Sequence, residues 1–200
     1  MIKTGLEVLR DDDFRLLRGR RVGLMTNPSA VDTQLRSTYR IFAQSPDINL
    51  AALFAPEHGF FGVAAESETI ASTRDPLTGV PVFSLYGDTY GPSAEMLKDV
   101  DVLVCDIQDI GVRYYTFTWT VSYILEAAGQ HGVQVVILDR PNPLGGQIIS
   151  GPLLEPHLSS LVGRFPIPVQ HGMTLGELAH MINTLWNPTP AELTIIPCEG

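Results

Sequence analysis

Two cysteines in 200 residues, Cys105 inside an apolar run and Cys198 near the end, leave no room for a disulfide framework or a CxxC metal knuckle. Basic charge is scarce as well. Thirteen Lys and Arg stand against 22 Asp and Glu, a formal charge of -9. No basic stripe is present that would neutralise phosphates, which excludes an ordinary nucleic-acid binder and favours a small or neutral ligand. No apolar run reaches the length of a transmembrane helix, and Met1-Ile2-Lys3-Thr4 is not followed by the apolar stretch of a signal peptide. The chain reads as soluble, with its compartment open: periplasmic or secreted if a signal peptide was removed, cytoplasmic otherwise. The first strand-to-helix turn has neither GxGxxG nor GxxxxGK[ST], so the usual backbone cradle for pyrophosphate is missing and no cofactor is expected. A nucleotide role would rest on fold analogy alone.

What is present is enough apolar material for a sizeable core: 44% of residues are hydrophobic and 18% charged. Candidate strands run Arg21 to Thr26, Asn49 to Phe54, Val80 to Ser84, Val100 to Asp106 and Val133 to Asp139, with a weaker one at Leu193 to Pro197. Helical periodicity appears at Leu6 to Leu17, Gln34 to Gln44, Ser93 to Leu97, Thr118 to His131 and Thr174 to Trp186. The alternation predicts βαβ units: an α/β, Rossmann-like, doubly wound and largely parallel sheet with helices on both faces. The basic stretch Arg15 to Arg21 reads as the end of the first helix and a solvated entry to the first strand.

In such sheets the ligand crevice lies beyond the carboxyl ends of the strands. Polar punctuation gathers there: Thr26-Asn27-Pro28, Ala55-Pro56-Glu57-His58-Gly59, Tyr86-Gly87, Asp106 to Arg113, and Asp139-Arg140-Pro141-Asn142-Pro143. The densest segment is Asp106-Ile107-Gln108-Asp109-Ile110-Gly111-Val112-Arg113-Tyr114-Tyr115-Thr116. It carries too many hydrogen-bonding groups for an ordinary strand-to-helix connection. From Gly145 to Gln170 the chain turns rich in Gly and Pro, which reads as a long excursion over the cleft before helical periodicity resumes. The expected division is a Rossmann-like catalytic domain over residues 1–186, with 187–200 beginning a C-terminal domain that is missing from this chain.

Six ordered blocks across nearly the whole chain resemble one family. They are Arg20 to Pro28, Ala52 to Gly62, Thr78 to Gly87, Asp106 to Thr116, Leu138-Asp139-Arg140-Pro141-Asn142-Pro143-Leu144-Gly145-Gly146, and His171-Gly172-Met173-Thr174-Leu175-Gly176-Glu177-Leu178. Each is similar to the DUF1343 family, the NamZ-type exo-β-N-acetylmuramidases. The resemblance implies a bacterial glycoside hydrolase that releases N-acetylmuramic acid from the non-reducing ends of peptidoglycan-derived muropeptides or disaccharides. It also implies a Rossmann-like N-terminal domain facing a smaller C-terminal one across the active site. The pattern departs in the loop after the second strand: Glu66-Ser67-Glu68 stands where many members have Gly before Glu, and Val63 replaces an acid often found after Gly62.

Glu57 is the catalytic candidate. A glycosidase needs a carboxylic acid to protonate the leaving oxygen, commonly with a second carboxylate as nucleophile or base. Glu57 follows a buried strand and is flanked by Pro56 and, two residues on, Gly59; the resemblance puts the family's catalytic Glu here. The plain alternative is an acid opening a helix, favoured by the helix dipole. Substrate contacts are assigned to His58, Glu68, Gln108, Asp109, Arg113, Tyr115, Asp139, Arg140, Asn142 and His171. Arg113 and Arg140 suit the muramic lactyl carboxylate, since a guanidinium binds carboxylate bidentately, or else pair with a neighbouring Asp. Asp106 and Asp139 end strands and equally suit turn caps. Tyr114, Tyr115 or Trp119 would offer the sugar an apolar face, or belong to the core.

Two competing readings use the same residues. A metal-dependent hydrolase would gather His58, His171, Asp106 and Asp139 around an ion, although the tight spacing of HExxH is absent and no metal is expected. A non-catalytic sugar- or nucleotide-binding module would use the same cleft without turnover.

Overall fold

The computed structural model describes residues 2–57, 73–87 and 89–200. The apolar runs form β1 (Arg21–Thr26), β2 (Asn49–Ala55), β3 (Thr73–Arg74), β4 (Pro81–Ser84), β5 (Val102–Asp106), β6 (Gln134–Leu138) and β7 (Leu193–Ile196). They make one sheet in the order β3-β4-β2-β1-β5-β6-β7. Every pairing is parallel except the two-residue β3, which runs antiparallel to β4 at the edge.

Helices α1 (Gly5–Asp11), α2 (Thr38–Gln44), α3 (Ala94–Leu97), α4 (Thr116–His131) and α5 (Leu175–Leu185) cover both faces. Alternation along the strands builds two cores. Leu103 and Cys105 of β5 face α3, α4 and α5, with Trp119, Ile124 and Leu178 fully buried among them. Val102 and Val104 face the other way, onto Leu6 and Leu9 of α1 and Phe42 of α2. A strand buried on both faces reads as a continuous apolar run, and β5 and β6 do so.

The expected elements are found, with ends moved by local chemistry. Periodicity suggests a first helix to Leu17, but Asp13 and Phe14 take positive φ (51° and 53°), so α1 stops at Asp11 and a short 3₁₀ turn, Arg15–Leu17, follows. Helix α2 begins at Thr38 rather than Gln34. Asp32 captures the backbone N–H groups of Gln34 and Arg36, Leu35 sits at φ 59°, and Ser37 caps the helix by accepting from Arg40 N–H. These local hydrogen bonds compete with the first helical turn and win.

The boundary expected at residue 186 does not separate a domain in the described fold. Leu193–Ile196 pairs in parallel with β6, Asp139 N–H donates to the Ile196 carbonyl, and Lys3 and Glu199 exchange backbone hydrogen bonds. A half-buried strand flanked by Pro gives a weak sequence signal at a sheet edge. No described helix is long and apolar enough to cross a membrane.

The chain leaves β1 toward β2 and β4, then returns to the other side of β1 for β5, β6 and β7. The strand order therefore reverses between β1 and β5, and in doubly wound sheets the crevice outside such a switch point is where ligands bind. The excursion expected at Gly145 to Gln170 is irregular apart from a 3₁₀ turn, Pro156–Leu158. It is fastened back where Gln170 bridges to both Val112 and Ser150. Its outer side exposes Ile148, Ile149 and Leu153.

Candidate functional site

Beyond the end of β2 comes buried Pro56 and then Glu57, half-buried. The Thr116 hydroxyl, on the first residue of α4, donates to Glu57 Oε2 at 2.5 Å. Since β1 lies between β2 and β5 in the sheet, this bond joins the loops on either side of it. Tyr115 takes the N-cap position of α4 in extended conformation and packs edge-on against Phe117, 4.6 Å between centroids. Burial raises its phenol pKa, and the carboxylates of Asp109 and Glu57 raise it further. Glu57, Asp109 and Tyr115 therefore share one electrostatic neighbourhood.

Asp109 is buried, at 3% exposure, and organises this corner. Its Oδ2 accepts from Gly111 N–H at 2.7 Å and its Oδ1 from the Thr118 hydroxyl at 3.1 Å. His171, equally buried, accepts from Met173 N–H on Nδ1, which leaves Nε2 as the ring nitrogen that can donate. That Nε2 faces Asp109 Oδ2 at 3.4 Å without completing a hydrogen bond. Asp109 and His171, each expected as a substrate contact, instead lie against one another as an internal brace for the start of α4.

Two other candidates are likewise spent inside the protein. Arg140 donates Nε and Nη2 to Asp106 at 2.6 and 3.0 Å and Nη1 to the Val31 carbonyl at 2.9 Å, while the Thr38 hydroxyl also donates to Asp106. With every guanidinium nitrogen engaged and the pair buried, Arg140 is not a substrate contact here; of its two sequence readings, the neighbouring Asp prevails. Asp139 accepts from Arg140 N–H and Gly176 N–H on Oδ1 and from the Thr174 hydroxyl on Oδ2. It holds the start of α5 and is unavailable for a sugar. Gly176 is needed for this approach, because a Cβ there would sit 2.8 Å from Asp139 Oδ2.

Arg113 keeps more of its capacity. Its Nη1 holds the Pro152 and Ile167 carbonyls at 2.7 and 2.6 Å, fastening the excursion, and the side chain stays half-buried. Gln108 ties its own loop to the next by donating to the Asp109 and Pro141 carbonyls. Asn142 donates to the Met173 carbonyl and accepts from Leu144 N–H. Both are half-buried at the rim. His58 and Glu68 lie outside the described residues. Trp119 is fully buried, donating to the Arg113 carbonyl at 2.8 Å, which settles it as core.

Among the described residues no three His, Cys, Asp or Glu side chains gather as a metal site. The described members of the metal set are dispersed: His171 against Asp109, Asp106 against Arg140, Asp139 at α5. A cavity of about 760 Å³ opens between α1, the loop after β1 and α2, lined by Arg10, Phe14, Asn27, Arg36 and Arg40. Asp32 already holds two of its guanidinium groups, Arg10 and Arg36. Thr38, Thr116 and Thr118 escaped sequence reasoning, because a threonine near a helix start looks the same whether it caps its own helix or serves a distant carboxylate.

Comparison with known proteins bears on the chain as a whole. A family profile described as exo-beta-N-acetylmuramidase NamZ, N-terminal, matches residues 22–200. The chain is 49% identical over 195 residues to the peptidoglycan beta-N-acetylmuramidase NamZ of Bacillus subtilis (strain 168), covering 98% of this chain and 47% of that protein. Crystal structures of two DUF1343 family proteins from Bacteroides fragilis superpose over the whole chain. One has a TM-score of 0.93 at 46% identity and the other 0.85 at 35%, covering 50% and 52% of those chains. The chain thus spans about half the length of the relatives it matches. On this fold, and with the match running from Val22 to the last residue, the chain belongs to the NamZ family of exo-β-N-acetylmuramidases, in the part described by its N-terminal profile.

Proposed function

We propose that this chain is the catalytic half of an exo-β-N-acetylmuramidase, releasing N-acetylmuramic acid from the non-reducing ends of peptidoglycan fragments. Its substrates are muropeptides or disaccharides, and a C-terminal domain forms the opposite wall of the cleft. The observation that carries the reading is the placement of Glu57. Its carboxyl emerges at the carboxyl end of β2, beside the switch point, with one oxygen held by Thr116 and the side chain still half open.

Glu57 acts as the general acid. It gives its proton to the glycosidic oxygen as the bond from that oxygen to the anomeric carbon breaks. Water supplies the hydroxyl that ends on the anomeric carbon, and the proton lost by the water restores the acid over the cycle. Tyr115 borders the sugar at the start of α4. Arg113 is the partner for the lactyl carboxylate, since its Nε and Nη2 are not used by the two carbonyls that Nη1 holds.

The test is turnover of a chromogenic muramic acid glycoside by the full-length protein and its Glu57→Gln variant. The variant is expected to keep its fold and ligand affinity while losing about 100-fold or more in kcat. Near wild-type turnover would overturn the assignment of Glu57. Ligand binding with no turnover by the unmodified protein would favour a binding module, and loss of turnover in chelator would favour metal-dependent hydrolysis.

A further inference from the structure

We infer that Thr116 is the positioning residue for the catalytic carboxyl and divides the labour between its two oxygens: Oε2 is held, and Oε1 carries the proton to the glycosidic oxygen. The inference rests on the reading of Glu57 as the acid.

The bond from Thr116 Oγ1 to Glu57 Oε2 is 2.5 Å, at the short end of the range for an O–H···O hydrogen bond. A threonine within a helix often turns its hydroxyl to the carbonyl four residues earlier. Thr116 is the first residue of α4, and the carbonyl four back, on Val112, instead accepts the backbone N–H of Tyr115. The hydroxyl proton is therefore available to Glu57. As long as it points at Oε2, the proton of a neutral Glu57 favours Oε1, because the carbonyl oxygen of a carboxyl is a stronger acceptor than its hydroxyl oxygen and the Thr116 proton claims the former. The side chain that donates to the sugar is thereby given one reactive edge.

Thr116 is itself held firmly. In the first turn of α4 the Thr118 hydroxyl donates to buried Asp109, and the indole N–H of fully buried Trp119 donates to the Arg113 carbonyl. Arg113 in turn grips the excursion at Pro152 and Ile167. The γ-methyl of a β-branched residue restricts χ1 further, so the hydroxyl direction is largely preset. Proximity and orientation of this kind act on the chemical step, where a small misplacement of the acid is costly.

The experiment uses the full-length protein with Thr116→Val, Thr116→Ser and Glu57→Gln, on two substrates. One is a muramic glycoside with a sugar alcohol as leaving group, which needs protonation. The other is an aryl glycoside whose leaving group departs with little assistance. Thr116→Val keeps the shape of the side chain and is expected to lower kcat on the sugar substrate by about 10- to 100-fold. KM should change little, and the loss on the aryl glycoside should be far smaller. Thr116→Ser should recover most of the activity. If Glu57→Gln is crippled on the sugar substrate while Thr116→Val matches wild type, the role of Thr116 is overturned and that of Glu57 stands. An equal loss on both substrates in Thr116→Val, unrescued by Ser, would show a structural role only and also overturns it. Wild-type turnover in Glu57→Gln would remove the reading on which the inference rests.

Discussion

Arg140 grips Asp106 through two hydrogen bonds, 2.6 Å from Nε to Oδ1 and 3.0 Å from Nη2 to Oδ2, with side chains 5% and 0% exposed. The pair closes the sheet beside the end of β1, where Thr26 of β1 stands next to Asp106 of β5. The Val31 carbonyl and the Thr38 hydroxyl complete its hydrogen bonding, so the loop after β1 and the start of α2 are pinned to the same charges. A buried pair of this kind is costly to break, because the survivor is left as an unpaired charge in the interior.

Arg140→Met is therefore expected to destabilise the protein by about 3 to 5 kcal/mol, read by urea unfolding. Glu57→Gln, at a half-open position, should leave the unfolding midpoint nearly unchanged. If Arg140→Met keeps its midpoint but raises KM for muramic substrates selectively, the guanidinium serves the ligand instead.

Arg113→Met separates a ligand contact from a clamp. The muramic lactyl group carries the carboxylate, so loss of a charge-assisted pair should raise KM for a muramic substrate about 10- to 100-fold relative to an uncharged analogue. The excursion should also loosen, since the Pro152 and Ile167 carbonyls lose their donor, and proteolysis of residues 145–170 should quicken. Equal KM changes on both substrates would leave Arg113 only the second role.

How far the sequence could be read depended on the range of the interaction. Strand β1 keeps its expected bounds, and β5 and β6 are displaced by a residue or two at their ends, because doubly buried strands declare themselves as unbroken apolar runs. The rim was legible too, since polar residues at strand ends have one place to go in a doubly wound sheet. Which rim residues are open was not. Asp139 and Arg140 look like ligand-facing groups until Gly176 N–H and Asp106, 37 and 34 residues away, are seen to occupy them. The start of α2 was hidden for a similar reason: Asp32 outcompetes the helix for the Gln34 and Arg36 N–H groups, a choice that depends on its burial against Arg10. Thr116 carries no pattern at all until Glu57 arrives from another loop.

Acid sensitivity should centre on Glu7 and Asp32. Burial favours the neutral form of Glu7, but hydrogen bonds from Thr33 and Thr4 outweigh it and lower its pKa from 4.5 to about 2. Asp32 is likewise opposed by burial and carried down from 3.8 to about 2 by Arg36 and Arg10. A carboxyl whose pKa is lower folded than unfolded stabilises the fold above the unfolded value, and that contribution disappears as pH falls through the folded one. The thermal midpoint should thus fall between pH about 4.5 and pH about 2. Glu7→Gln should flatten that limb and cost on the order of 3 kcal/mol at neutral pH. An acid limb unchanged by Glu7→Gln would place the sensitivity elsewhere.

Gly111 joins Asp109 to Arg113, and the end of the Asn142 side chain occupies the place a Cβ would take. The glycine sits at φ 83°, and an added Cβ would lie 2.3 Å from Asn142 Oδ1. Gly145 offers a control at φ 74°, where an added Cβ meets nothing within 4 Å. Both Ala variants share the penalty of a left-handed backbone, about 1 to 2 kcal/mol. Gly111→Ala must also push Asn142 away from the Met173 carbonyl and Leu144 N–H, and it disturbs the N–H that Asp109 Oδ2 accepts. It should therefore destabilise by about 1 to 3 kcal/mol more than Gly145→Ala, the cost of leaving buried Asp109 short of a donor. Because Asp109 braces the first turn of α4, which carries Thr116 to Glu57, kcat should fall with it. Gly145→Ala should leave turnover intact. Equal unfolding midpoints and equal kcat for the two variants would mean that the 108–113 loop gives way at Gly111 without loss, and that its rigidity does not support the Glu57 carboxyl.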